Sequence, residues 1–375
     1  MRTYLIILLA CIGLASPALA QEAESAVPEE QKRWSLVIHG GAGTIARDRI
    51  TPEQDARIRD ALNRALEAGS AILAEGGDAT DAVTATITVL ENDPNFNAGF
   101  GAVFTWDETN RLDASIMEGA TRNAGAVAGI SATKNPILLA RAVMDNSPHV
   151  MLAGAGADEF SREQGLTQVD PSYFVTPERL RALRAFKARE AEGKPISALD
   201  IDTKFGTVGA VAMDMEGNIT AGTSTGGMTG KRWDRIGDSP IIGAGTYADN
   251  RSCGVSATGA GEYFIRVGVA QAICTKLRFT AESNVLTLLN EAVDSKQEPD
   301  PEELAALQRN PLTADEVQDI ADNVIGDMGS LGGSGGIIYL TPWGHIGYSF
   351  DTPGMYRGKA SSDGTKSVAI YGDED

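Results

Sequence analysis

In the middle of the chain a run of small and β-branched residues begins abruptly: Lys204-Phe205-Gly206-Thr207-Val208-Gly209-Ala210-Val211-Ala212. From Thr207 onward its composition is that of a buried strand. Before it, residues 177–192 are rich in Arg, Ala, Leu and Glu and predict an exposed helix, and 193–203 predict a loop, so 177–206 reads as an exposed linker. A chain that enters a core strand directly from such a linker puts the first strand residue at the boundary of solvent and core. That residue is a threonine, and a glycine precedes it. A mid-chain threonine is a poor nucleophile. Cutting Gly206–Thr207 would give Thr207 a free α-amine beside its hydroxyl, and the amine could serve as the base that activates it. Gly206 suits such a cut, because a residue without Cβ lets the hydroxyl approach the preceding carbonyl and tolerates strained angles.

The N-terminus reads as an export signal. Arg2 supplies a basic start, Leu5–Ile12 an apolar stretch, and Ala18-Leu19-Ala20 a small-x-small cleavage site before Gln21. Residues 1–20 are therefore expected to be removed, and 21–33, polar and acidic, form a leader; Leu8-Leu9-Ala10-Cys11 as a lipobox would leave a very short signal. The apolar run is too short for a membrane span, so the expected location is the periplasm or the medium. A net charge of −19 argues against nucleic acid and anionic membranes as partners. Cys253 and Cys274 would remain after signal removal. An oxidising compartment permits a bridge between them, and two buried thiols are the alternative. His39, His149 and His345 are far apart and give no zinc spacing.

Periodicity predicts a strand over 34–38 ending in the glycine loop His39-Gly40-Gly41-Ala42-Gly43, a helix over 52–73, and a second helix capped by Asp78 and ended before Pro94. Short strands are expected at 101–105, 112–117, 125–130 and 150–152, with helices at 135–144 and 157–163. The second half predicts a hairpin, 207–213 with 218–223, around Glu216-Gly217, then a strand at 255–258, a helix over 263–277, proline-broken helices over 281–326, and a closing hairpin, 335–340 with 345–349. Strands and helices do not alternate strictly, so a layered α+β fold fits better than a doubly wound sheet.

Several local patterns are weaker than they look. Gly41-Ala42-Gly43-Thr44-Ile45-Ala46 follows a strand, but the next helix starts too late for a dinucleotide fingerprint. Gly222-Thr223-Ser224-Thr225-Gly226 matches a nucleophile elbow, yet loop residues follow where that motif needs a helix. Taken alone, Arg235 and Asp238 are an ordinary surface pair, and Thr258-Gly259-Ala260-Gly261-Glu262 a strand end and helix cap.

Their order carries more information. His39-Gly40-Gly41-Ala42-Gly43, Phe96-Asn97-Ala98-Gly99, Gly206-Thr207-Val208-Gly209-Ala210, Thr223-Ser224-Thr225-Gly226-Gly227, Arg235-Ile236-Gly237-Asp238-Ser239-Pro240, Thr258-Gly259-Ala260-Gly261-Glu262 and Gly332-Gly333-Ser334-Gly335-Gly336 follow one another along the chain. Over about 34–277 and 329–358 the chain resembles the plant-type L-asparaginase/isoaspartyl peptidase family of N-terminal-nucleophile hydrolases. The resemblance implies a four-layer αββα sandwich. It also implies self-cleavage into an α chain ending at Gly206 and a β chain of 207–375 that stay together as one hydrolase domain, and a dimer of αβ heterodimers. Its implied substrates are L-asparagine and β-aspartyl dipeptides.

By position, the resemblance makes Thr207 the nucleophile, with Thr225 hydrogen-bonded to its hydroxyl. Thr258 and the Gly259 N–H become the oxyanion hole. Arg235 holds the substrate α-carboxylate and Asp238 the α-ammonium, with the Gly261 carbonyl assisting. Asn97 lies near the nucleophile. No cofactor is implied for catalysis, but a structural sodium is, held by the backbone oxygens of Leu90, Glu91, Asp93, Phe96, Ala98 and Phe100. Two stretches depart from the family pattern: 278–328 is longer, and Lys231-Arg232-Trp233-Asp234 is bulkier and more charged. Both are expected to reshape the site entrance.

The chemistry is coherent. A freed α-amine with a reference pKa of about 7.7–8.0 is partly neutral near pH 7 and accepts a proton without any histidine. An arginine and an aspartate together read both charges of an amino acid's α end. Asparagine and β-aspartyl peptides share that end and differ in the leaving amine. The alternatives are a glycosylasparaginase, whose usual His-Asp-Thr run is absent before Thr207, and a non-catalytic periplasmic amino-acid-binding protein that uses Arg235 and Asp238 without turnover.

Overall fold

A computed structural model describes residues 33–193, 206–296 and 298–374. The expected signal and most of the leader, and the stretch 194–205, lie outside the described residues.

Strand β1 (Ser35–Gly43) is buried throughout and sits within an eight-stranded sheet. On one side it pairs antiparallel with β5 (Val208–Met213), which continues through β6 (Ile219–Thr225), β2 (Leu112–Glu118) and β3 (Ala124–Ile130) to a parallel edge strand, β4 (Met151–Ala153). On the other side lie β11 (Gly354–Ser361) and β12 (Lys366–Tyr371). The β5–β6 turn is held by the Asp214 carboxylate, which accepts from the N–H groups of Glu216 at 3.0 Å and Asn218 at 2.9 Å. A second sheet has the order β10 (Ile346–Phe350), β9 (Gly335–Leu340), β8 (Cys253–Gly259) and β7 (Thr246–Asp249).

Successive strand side chains point to opposite faces, and this parity builds the layers. Leu36 and Ile38 of β1 and Val208, Ala210 and Ala212 of β5 join the core under helices α1 (Pro52–Ala74), α2 (Ala79–Glu91) and α3 (Pro136–Asn146). Val37, Val211, Ile219, Ala221, Ile338 and Leu340 meet between the sheets. Beyond the second sheet, Cys253, Val255, Ile337 and Tyr339 pack under α7 (Val269–Ser295) and α9 (Ala314–Ser330). The layers are therefore helix, sheet, sheet, helix: the αββα sandwich expected. A disulfide between Cys253 and Cys274 ties β8 to α7.

Residues 101–105 are not a strand: Gly99–Gly101 is a 3₁₀ turn, and only Thr105 bridges to Lys231. Asp78 precedes α2 without a side-chain cap; Asp214 Oδ2 accepts from the Ala79 N–H instead, at 3.2 Å. The helix expected over 263–277 is broken by left-handed Gly268 into α6 (Gly261–Val267) and α7. The hairpin of β9 and β10 forms as expected but does not close the fold, since β11 and β12 follow it. The segment 278–328 contributes the end of α7, α8 (Pro301–Arg309) and most of α9.

The helix α5 (Pro177–Ala191) is capped by the Thr176 hydroxyl, which accepts from the Arg179 N–H. It is not a plain exposed linker. Leu183 and Arg179 are buried, Arg179 Nε donates to the Gly101 carbonyl at 2.8 Å, and the Phe186 ring meets Trp106 edge to face at 6.4 Å between centroids. Its composition suggested an exposed helix because two anchors among many charges leave almost no apolar stripe.

Candidate active site

The inter-sheet faces of β5, β6 and β8 carry three threonines at one end of the sandwich. Thr207 precedes β5 with the parity of Val211, Thr225 ends β6 with the parity of Ala221, and Thr258 lies near the end of β8, out of phase with Val255. Thr207 is 9% exposed and donates from Oγ1 to Thr225 Oγ1 at 3.0 Å. Thr225 Oγ1 also accepts from the Gly227 N–H at 3.0 Å. Asn97 secures that loop from the far side: its Nδ2 donates to the Gly227 carbonyl at 2.6 Å and its Oδ1 accepts from the Val103 N–H at 3.0 Å.

Thr258 Oγ1 accepts from the Ala42 N–H at 3.4 Å and lies against Gly206, where an added Cβ would come within 2.8 Å of it and 2.6 Å of the Gly41 Cα. Gly41 has φ +114° and faces the Gly206 backbone. The glycine loop is thus used for close backbone approach at the junction, since neither residue tolerates a side chain in that space.

The cleft has a volume of about 640 Å³. It brings together Asn97, Gly206, Thr207, Thr225, Arg235, Asp238, Thr258 and Gly259. Gly261 lies just behind, where a Cβ would fall 2.8 Å from Asp238 Oδ1 and 2.9 Å from an Arg235 guanidinium nitrogen. Both charged groups therefore converge on it. Asp238 is buried, and Arg235 makes a bidentate pair with Glu262, both contacts at 2.8 Å. That pair holds the Glu262 carboxyl below its ordinary range. Glu262 follows Gly261 in the stretch Thr258-Gly259-Ala260-Gly261-Glu262, whose local pattern signals only a strand end and helix cap.

Neither stretch that departs from the family pattern lines the cleft. Lys231 turns inward, its Nζ 3.0 Å from the Arg111 carbonyl and 3.4 Å from Asp113 Oδ2, and Arg232 lies over the Trp106 ring at 3.6 Å while pairing with Glu190. The segment 278–328 covers the second sheet, with Gln318 on Tyr339 and Asp322 on Ser349. The wall that sequence reasoning missed is α5, from which Arg179, Arg181, Ala182, Ala185 and Arg189 face the cleft. Its signal was a face of small residues between arginines.

Behind Thr207 a chain of side chains crosses the sandwich. His39 Nε2 lies 2.9 Å from Ser256 Oγ, Ser256 2.7 Å from Thr223 Oγ1, Thr223 2.5 Å from Thr246 Oγ1, and Thr246 2.8 Å from Ser115 Oγ, which donates to the Ser239 carbonyl at 2.6 Å. Burial pushes the His39 imidazole down to about 3, against a smaller opposite pull from the Thr207 backbone. It is neutral at pH 7 and a weak base. On the other face of β6, Ser224 donates to the Glu91 carboxylate at 2.7 Å, and burial raises that carboxyl to about 7.

The residues suggested for sodium lie in the last turn of α2 and the loop after it, and none of the six lines the cleft. A Cβ on Gly101 would collide with the Phe96 carbonyl oxygen and one on Gly99 with that of Glu91, so these carbonyls turn into the loop. Those of Leu90, Asp93 and Ala98 each accept one backbone N–H at 3.1–3.3 Å. No cluster of metal-binding side chains occurs among the described residues.

A model of the family described as asparaginase matches residues 32–301. The isoaspartyl peptidase of Escherichia coli K12 is 42% identical over 341 residues, 90% of this chain and 95% of that protein. That of Salmonella typhimurium is 41% identical over 342 residues, 90% of this chain and 98% of the other. The human isoaspartyl peptidase/L-asparaginase is 42% identical over 237 residues, 63% of this chain and 74% of its own. With the sandwich and the cleft already in place, this similarity assigns the chain to the asparaginase family of N-terminal-nucleophile hydrolases.

Proposed function

We propose that the protein is a self-processing amidohydrolase acting on L-asparagine and β-aspartyl dipeptides. The observation that carries this reading is the 3.0 Å contact of Thr207 Oγ1 with Thr225 Oγ1, beside Thr258 and opposite Arg235 and Asp238. In the precursor, the Thr207 hydroxyl attacks the Gly206 carbonyl carbon, the C–N bond breaks, and water hydrolyses the resulting ester. Gly206 gains a carboxylate and Thr207 a free α-amine.

In turnover that amine takes the proton from Oγ1 as Oγ1 attacks the substrate β-carbonyl. Thr258 Oγ1 and the Gly259 N–H stabilise the oxyanion, a role worth about 2.7–4 kcal/mol per donor. The amine returns its proton to the departing nitrogen, and ammonia or an amino acid leaves. Water then hydrolyses the aspartyl ester. Arg235 and Asp238, with the Gly261 carbonyl, hold the α end and keep the β-carbonyl over Thr207. Because Glu262 already holds the guanidinium, the substrate carboxylate competes with it or takes the remaining guanidinium face.

We further propose export to the periplasm or medium on the N-terminal pattern, assembly as a dimer of αβ heterodimers, and a structural sodium in the 90–101 loop. All six sodium donors are carbonyl oxygens, which suit a hard cation, and the ion takes no part in the reaction.

The test is denaturing electrophoresis of the purified protein together with ammonia release from asparagine. Wild type is expected to give two bands and turnover, and Thr207→Ala one band and none. A single intact wild-type chain with full activity would overturn the mechanism.

A further inference from the structure

The chain carries a net charge of −19, yet among the described residues its cleft is lined by four arginines, Arg179, Arg181, Arg189 and Arg235, against Glu178 and Asp238. Three of the four belong to α5. Arg179 is spent on the helix's own seat, donating to the Gly101 carbonyl. Arg181 and Arg189 are exposed and lie two turns apart, roughly 12 Å along the axis. Between them the helix presents Ala182, Ala185 and Phe186 to the cleft.

The wall is fixed on both sides of the cut. Phe186 and Leu183 pack where a Gly230 side chain would sit, Lys187 pairs with Glu108 at 3.1 Å, and Glu190 pairs with Arg232 of the β-chain segment at 3.0 Å. None of these contacts involves Gly206 or Thr207. The wall and the α-end clamp have different seats: α5 rests on 101–106, on Gly230 and, through Glu190, on Arg232, whereas Arg235 and Asp238 converge on Gly261 and Glu262. The α end is held by Arg235 and Asp238, and beyond that clamp the arginines among the cleft's described lining all belong to α5, which is the cationic surface left for the leaving group.

The two substrate classes differ in charge. Asparagine is a neutral zwitterion near pH 7. A β-aspartyl dipeptide ending in an uncharged residue has an α-ammonium, an α-carboxylate and a second, C-terminal carboxylate, so its net charge is −1. A cleft with a cationic wall concentrates the anion. The geometry points to α5 as the wall of the leaving-group subsite, with Arg181 and Arg189 receiving the free carboxylate of the residue released from a β-aspartyl dipeptide. This inference rests on the proposed function and adds the group that separates its two substrates.

The test compares kcat/KM for β-aspartyl-leucine, β-aspartyl-leucinamide and asparagine. A charge-assisted contact predicts that wild type prefers the free acid over the amide by about tenfold or more, with the preference shrinking as ionic strength rises. In Arg181→Gln/Arg189→Gln the ratio of dipeptide to asparagine kcat/KM falls by about tenfold and the acid–amide preference disappears; Arg181→Lys/Arg189→Lys retains most of it. Two bands on a denaturing gel confirm that each variant has folded and processed. Wild-type parity between acid and amide, or an unchanged ratio in the glutamine variant, overturns the inference. Absence of any wild-type turnover instead overturns the proposed function.

Discussion

Thr207 Oγ1 donates to Thr225 Oγ1 across two adjacent antiparallel strands, at 3.0 Å. Thr225 in turn accepts from the Gly227 N–H, and Asn97 fixes the Gly227 carbonyl. The acceptor that orients the nucleophile is therefore held by a loop and not by strand pairing alone.

Thr225→Ala removes that acceptor and leaves the Gly227 N–H without it. A hydrogen bond between two neutral hydroxyls is worth about 0.5–1.5 kcal/mol. The expected result is a kcat about 2–10-fold lower, with self-cleavage slowed in parallel. Thr225→Ser keeps the oxygen and should recover most of both. Stopped time courses of band splitting and ammonia release read the two effects.

Gly206→Ala puts a methyl group 2.6 Å from the Gly41 Cα and 2.8 Å from Thr258 Oγ1. The junction must shift before the hydroxyl of Thr207 can meet the carbonyl. Processing should slow by at least tenfold while the melting temperature changes little, since the junction can move outward into the cleft. Normal processing in Gly206→Ala would show that the close packing at this point has no part in cleavage.

The small, β-branched runs on either side of Glu216-Gly217 made the central hairpin readable, whereas Thr225 and Thr258 were reached only through the order of the motifs. The motif order made the cleft readable. What escaped has physical causes. The strand β7 is only four residues long, and β11 and β12 follow a hairpin that looked terminal. At 101–105 alternation suggested a strand, but the carbonyl-lined turn before it leads the chain away from both sheets. The α5 wall was hidden because its anchoring depends on Arg179 and Phe186 finding partners far along the chain, at Gly101, Trp106 and Gly230, which no local period encodes. Glu262 was in view, but its pairing with Arg235 is a matter of geometry.

His39 gives the acid limb of stability. Its folded-state value is about 3 against an ordinary 6.5, because burial disfavours the cation. The unfolded chain binds the proton first, so the stabilisation is complete above pH 6.5 and is lost as pH falls toward 3. Its full extent is on the order of 4–5 kcal/mol. Denaturant titrations from pH 7 to 4 should show this loss. His39→Gln should be less stable at pH 7, through Ser256 and the close packing at Gly209, but its stability should depend less on pH in that window. An equal slope in both proteins would remove His39 as the cause.

The Cys253–Cys274 bridge closes a loop with a sequence separation of 21 between β8 and the helix that covers it. Loop-closure entropy for that length corresponds to about 3 kcal/mol. Cys274 is buried among Val269, Ala270, Ile273 and Leu277, so replacement by alanine also removes packing. Cys253→Ala/Cys274→Ala should therefore unfold at lower denaturant by an amount near that figure, and reduction of the wild type should reproduce most of the change. The cleft lies on residues from β5, β6 and the far end of β8, so kcat at low temperature should fall less than twofold. Equal denaturation midpoints for oxidised and reduced wild type would show that the helix layer holds the second sheet without the bridge.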